Sequence, residues 1–150
     1  MIPLTILLSV FLLTLLVTKI FKAKLSARGA GRIAMAAMLV FTAFVHFKFT
    51  KGMALMIPDV LPYREAGVLA TGILEIGFII GLLLPSTYKV TGTALIIYLI
   101  LVIPVHVHAA MEHIDFRTAE ATGHGLDFLW FRIPLQFFFI AWVYWSCRKK

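Results

Sequence analysis

Five side chains stand where a membrane-spanning helix has no ordinary use for them. Glu75 lies deep inside one long apolar run, Arg132 and Gln136 share another, and His46 and His106 lie toward the ends of two more. A charged or strongly polar group inside hydrocarbon costs roughly a few kcal/mol, so such groups turn toward the protein interior and often mark function. The residue types suit two chemistries. A carboxylate in apolar surroundings exchanges protons, while imidazole, guanidinium and amide groups donate hydrogen bonds to the carbonyl oxygens of a quinone or similar apolar ligand. Arg132 and Gln136 are four residues apart and share a helix face. His106 and His113 are seven apart and share one as well, whereas His106 and His108 point to nearly opposite sides unless Pro104 distorts the helix; His108 lies above Glu112 instead. The spacing predicts one pocket containing His46, Glu75, His106, Arg132 and Gln136, with His113 at its mouth.

Each of these residues also has a plainer reading. Glu75 and Arg132 carry opposite charges and could form a structural ion pair between helices. His46, followed by Phe47 and Lys48, could reach outward from the end of its helix. His46, His106, His108 and His113 could instead ligate iron, copper or zinc, since neutral imidazoles with a carboxylate suit those metals; no HExxH or paired ExxH pattern accompanies them. The chain carries no CxxCH haem attachment, no dinucleotide fingerprint and no set of cysteines for an iron–sulfur cluster. Its one cysteine, Cys147, excludes an intramolecular disulfide and stands beside a basic C-terminus, where it is inert or a palmitoylation site. Gly77 and Gly81 form a GxxxG, read as close helix packing or as a contact between two copies of the chain.

The elements that must hold these residues are dictated by composition. Of 150 residues, 61% are apolar and 14% charged, and mean hydropathy is +0.98. A water-soluble domain needs more polar surface than this. The apolar residues form runs long enough to span about 30 Å of hydrocarbon at roughly 1.5 Å per residue. The expectation is therefore a single all-α membrane domain over residues 1–150. Ile2–Phe21 is the first helix; it has no basic residues before its apolar stretch and no small-residue cleavage pattern, so it does not read as a signal peptide. A basic connector over 22–31 leads to a second helix at about 32–49. Residues 50–64 carry Pro58 and Pro62 and cannot form one spanning helix; Met53, Leu55, Met56, Ile57, Val60 and Leu61 are expected to rest on lipid at the interface. A third helix is expected over about 65–84, a fourth over about 88–111 bent near Pro104, a polar loop over 112–125, and a fifth helix over about 126–146.

The net charge of +7 does not indicate nucleic acid, because the basic residues cluster at the ends of apolar runs and there serve as topology signals and headgroup contacts. Five spans put Lys19, Lys22, Lys24, Arg28, Arg32, Lys89, Arg148, Lys149 and Lys150 on one side of the membrane. Lys48, Lys51, Arg64 and Arg117 fall on the other, diluted by Asp59, Glu65, Glu112, Asp115, Glu120 and Asp127. The positive-inside rule makes the first side cytoplasmic, with the N-terminus outside and the pocket open outward.

Several segments in order resemble the DoxX family of small bacterial membrane proteins: His46-Phe47; Met56-Ile57-Pro58 with Leu61-Pro62; Gly72-Ile73-Leu74-Glu75 with Gly77 and Gly81; Ile103-Pro104; and Trp130-Phe131-Arg132-Ile133-Pro134-Leu135-Gln136. The resemblance covers about residues 30–146. It implies a four-helix transmembrane bundle in the bacterial cytoplasmic (inner) membrane, to which the first helix here is an addition. It also implies association with membrane redox subunits, since named members accompany thiosulfate:quinone oxidoreductase, terminal quinol oxidase and redox-stress complexes, while distant relatives act in assembly or cargo handling. After the proline the family carries approximately Pro-Ala-Asn, then an aliphatic and an aromatic residue. Here His106 and His108 take the Asn and aromatic places, which favours a metal or proton role. The expected function is thus a redox-associated subunit binding a quinone or other apolar ligand. The other readings are a non-enzymatic partner or assembly factor whose buried Glu–Arg cluster is structural, and, third, a small-solute or proton transporter.

Overall fold

The computed structural model describes residues 2–22, 24–58, 60–123 and 125–148; Asp59, Lys149 and Lys150, which contribute to the charge asymmetry, lie outside them. The chain forms six helices: α1 (Ile2–Ile20), α2 (Ala27–Lys48), α3 (Thr50–Leu55), α4 (Arg64–Leu83), α5 (Tyr88–Met111) and α6 (Asp127–Cys147). All but α3 are long and apolar enough to cross a membrane. Apolar side chains clothe helices whose backbone groups are satisfied internally, as hydrocarbon requires.

Four helices form a ring in the order α2, α4, α5, α6, with α6 closing back onto α2. Leu39 and Met35 from α2, Leu82 from α4, Leu95 from α5 and Val143 from α6 meet in its fully buried centre. In lipid this packing is held by dispersion and close fit between helices rather than by expulsion of water. α1 lies outside the ring against α2. Leu7 enters the core, and the Phe11 ring stands edge-on to Trp142 with centroids 4.9 Å apart. Trp142 in turn donates its indole N–H to the Gly31 carbonyl at 3.1 Å, fixing α6 to the start of α2.

The helix bounds agree with the sequence to within a residue or two, except at α2. It begins at Ala27, five residues before the expected Arg32, because Ser26 caps it by accepting the Gly29 N–H at 3.1 Å. Here Gly31 packs under Trp145, whose ring a Cβ would meet at 2.8 Å. The stretch after α2 also departs from expectation. Leu55, Val60 and Leu61 are exposed, but Met56 is buried, because α3 turns inward and packs against α4 and the 112–125 loop. Gly52 makes that possible: a Cβ there would overlap the Phe116 carbonyl.

One end of the bundle gathers the starts of α2 and α5 and the end of α6. Arg32 donates to the Ser146 carbonyl at 3.4 Å and lies over the Tyr88 ring at 4.0 Å, and Arg28 donates to the Arg148 carbonyl at 3.3 Å. These guanidiniums cap the C-terminal carbonyls of α6, where positive charge is favoured by the helix dipole. The opposite end carries His46, His106, Arg132 and the loops.

Candidate functional site

The five pocket residues come together as two groups rather than one. The first is centred on Glu75, about three turns past the start of α4 and so near the middle of its span. Gly72, one turn earlier on the same face, lets α2 approach closely. Its Cβ position lies 3.0 Å from the His46 Cβ and 3.2 Å from the Phe47 ring. That approach brings Thr42 and His46, themselves one turn apart on α2, against the carboxylate.

The Glu75 carboxylate takes one donor from each neighbouring helix. Thr42 Oγ1 lies 2.8 Å from Oε2, and the Tyr98 hydroxyl on α5 donates to Oε1 at 3.0 Å. His46 Nδ1 stands 3.6 Å from Oε2 and 2.8 Å from the Thr42 carbonyl. Because a carbonyl only accepts, Nδ1 carries a proton, which leaves Nε2 as the exchangeable position of that ring, with no partner among the described residues. Thr42 Oγ1 also lies 3.1 Å from the Leu39 carbonyl, giving its single proton two acceptors to choose between. Glu75 and His46 are both buried, at 4% and 8% exposure.

The second group is formed by α5 and α6. His106 lies about two turns beyond Tyr98 along α5. Its Nε2 faces Arg132, with Nε at 3.4 Å and Nη2 at 3.3 Å. One turn deeper, Gln136 donates to the Leu99 carbonyl at 2.7 Å, a buried bond that locks α5 to α6.

The Glu75–Arg132 ion pair that the sequence allows is not formed. α4 and α6 stand diagonally across the ring, and each packs on α2 and α5 rather than on the other. Glu75 is satisfied by hydroxyls and an imidazole, and no ion pair of Arg132 occurs among the described residues.

The histidines diverge. His106 faces α6, while His108, two residues on, turns to the end of α3 and donates Nδ1–H to the Met56 carbonyl at 3.0 Å. His113 is exposed with φ +53° and lies over Gly125, so it does not border either group. No set of three or more His, Cys, Asp or Glu side chains among the described residues is placed to hold a metal ion. The metal reading of His46, His106, His108 and His113 therefore lacks a convergent donor set, and the Nε2 lone pair of His106 is already engaged by Arg132.

Two open hollows flank α3, lined by residues such as Lys51, Tyr63, Glu65, Phe116 and Arg117. They are surface features at the loop end, and none of the five residues lines them. Thr42 and Tyr98 join the site without being singled out by the sequence. Thr42 is within reach of the i, i+4 rule from His46, whereas nothing in the chain distinguishes Tyr98 from an ordinary aromatic in an apolar helix. The GxxxG glycines also differ from each other. Gly81 packs against Thr91 on α5, whose hydroxyl a Cβ would overlap, while the space at Gly77 is open.

Residues 35–147 match the model of a family described as a domain of unknown function (DUF8561). No curated protein and no solved structure matches the chain.

Proposed function

We propose, for a chain that belongs to the DUF8561 family, that it is a redox-associated membrane subunit in which Glu75 and His46 exchange protons with a quinone-class ligand held within the bundle. The observation that carries this reading is the hydrogen-bond arrangement around Glu75. With the carboxylate ionised, Thr42 donates to Oε2; with Oε2 protonated, the carboxylic acid donates to Thr42, whose own proton turns to the Leu39 carbonyl. Both protonation states are thus fully hydrogen-bonded without movement of a heavy atom, which is what a proton-exchanging group buried in hydrocarbon needs.

A quinone, when bound, supplies paired electron and proton uptake at carbonyl oxygens. The residues fit such a group at one atom above all: His46 Nε2, which has no partner among the described residues. Protonated, it donates a hydrogen bond to an oxygen, while Nδ1, which donates to the Thr42 carbonyl, lies 3.6 Å from the Glu75 carboxylate and keeps the ring beside it. Tyr98 holds the carboxylate from the far side and fixes its orientation. The resemblance to DoxX proteins supports the same reading, because members of that family accompany quinone-linked enzymes.

The test is lipid extraction and optical spectroscopy of the chain purified in mild detergent from quinone-replete membranes. Wild type is expected to carry quinone in stoichiometric amount and His46→Ala to lose it. Equal background amounts in both would overturn the proposal.

A second reading, a non-catalytic partner whose polar cluster joins three helices, is favoured by the completeness of Glu75's partners. It expects Glu75→Gln to weaken the bundle and to leave ligand content unchanged.

A further inference from the structure

The Arg132–His106 pair is short of acceptors. A guanidinium has donors only and never accepts. Both of its contacts with His106 run to Nε2, so Nε2 accepts and the neutral ring holds its proton on Nδ1. That Nδ1–H is buried and has no acceptor among the described residues, in a residue only 8% exposed. Arg132 itself has no carboxylate within ion-pair distance among the described residues; its guanidinium also lies 5.8 Å from the centre of the Phe128 ring. Among the described residues the pair is therefore a cation with a surplus of N–H groups and no anionic partner, at one end of the bundle. An unpaired buried donor and an uncompensated charge are each costly, and both costs fall when an anionic oxygen arrives.

Depth narrows the kind of anion. Arg132 is little more than one turn from the start of α6, which is the level of headgroups rather than of the hydrocarbon centre. On the same face of α6, one turn earlier, the partly exposed Phe128 ring lies 5.8 Å from the guanidinium and covers its approach from the lipid. An anion reaching Arg132 from that side has to carry an apolar tail. The planar fork of the guanidinium suits a carboxylate or phosphate in two-point contact.

We propose that Arg132 and His106 form an oxyanion site for the acidic head of an amphiphile, a carboxylate or phosphate on an apolar tail. The site uses none of the groups around Glu75 and is separated from them by about two turns of α5, so either proposal can fail without the other.

The experiment uses the full chain in a non-ionic detergent and follows thermal stabilisation during titration with four probes. They are a long-chain fatty acid, its methyl ester, phosphatidylglycerol and inorganic phosphate. Stabilisation is expected from the fatty acid or from phosphatidylglycerol, and which of the two acts stronger tells carboxylate from phosphate. The methyl ester, with the same tail and no charge, is expected to do nothing. Arg132→Gln and Arg132→Lys are each expected to weaken the response about tenfold or more, the lysine because it keeps the charge and loses the fork. His106→Phe, which removes the orphan N–H, is expected to weaken it as well. Lys89→Gln, at the opposite end of the bundle, separates out adsorption to the basic surface and is expected to respond like wild type. Equal stabilisation by the ester, a full response from inorganic phosphate alone, or wild-type responses in Arg132→Lys and His106→Phe would each overturn the proposal.

Discussion

Replacing Glu75 separates the charge of its carboxyl group from its shape. In Glu75→Gln the amide oxygen can keep the Tyr98 bond at the Oε1 position, 3.0 Å from the phenol. The amide NH2 then takes the Oε2 place and donates to Thr42, 2.8 Å away, while the threonine proton turns to the Leu39 carbonyl at 3.1 Å. The one misfit is the amide edge facing His46 Nδ1–H at 3.6 Å. With the bonds conserved and interhelical hydrogen bonds in membranes worth on average about 0.6 kcal/mol, the expected loss is under about 1 kcal/mol. Glu75→Ala is different. It takes the carboxylate acceptor away from the Tyr98 hydroxyl, which keeps only its contact with Thr71, and leaves a void where the side chain packed between α2, α4 and α5, a loss on the order of 2–5 kcal/mol. Thr42 is spared in both variants because Leu39 remains available to it. The assay is unfolding from mild detergent by titration with SDS, read by the fluorescence of Trp130, Trp142 and Trp145. If Glu75→Gln costs as much as Glu75→Ala, the negative charge itself is holding the bundle together, and the two-state arrangement around Thr42 is wrong.

Gly81→Ala is expected to destabilise by roughly 1–3 kcal/mol through overpacking. Thr91→Ala should restore most of that loss, because Thr91 is what the new Cβ meets, whereas Gly77→Ala should be silent; the same unfolding titration distinguishes them. Phe11→Ala removes a ring that stands edge-on to Trp142 at 4.9 Å and Trp145 at 6.1 Å. It should cost about 1–3 kcal/mol while α1 still inserts, as checked by membrane fractionation. Reporter fusions at Lys150 should be active only for a cytoplasmic reporter, because the end of the bundle bearing Arg28, Arg32, Lys89 and Arg148 carries no described acidic residue; activity of a periplasmic reporter there would reverse the orientation.

The long helices are legible in the sequence because length and hydropathy alone fix a membrane span. Tyr88–Met111 is legible to the residue, and a proline inside it does not end it. What the chain does not disclose is rotation. Glu75 and Arg132 attract in one dimension, but Gly72 turns α4 toward α2, and His106 turns α5 toward α6, so the two charges end on helices diagonal to each other. The early start of α2 is hidden because the basic stretch before Arg32 reads as a connector, and only the Ser26 cap on the Gly29 N–H shows that the helix begins inside it. Tyr98 is hidden because its hydroxyl matters only after folding brings a carboxylate from 23 residues away to meet it. The divergence of His106 and His108, in contrast, follows from helical spacing and is seen in their separate partners, Arg132 and the Met56 carbonyl.

In the proposed function, Glu75 gains and loses a proton inside the bundle when a bound quinone is reduced. Infrared difference spectroscopy of the chain reconstituted with quinone, recorded on reduction, reads the carboxylic C=O stretch directly. The expected result is a change in that band which shifts with deuterium exchange and disappears in Glu75→Gln. An absent band, or one that persists unchanged in Glu75→Gln, would contradict it.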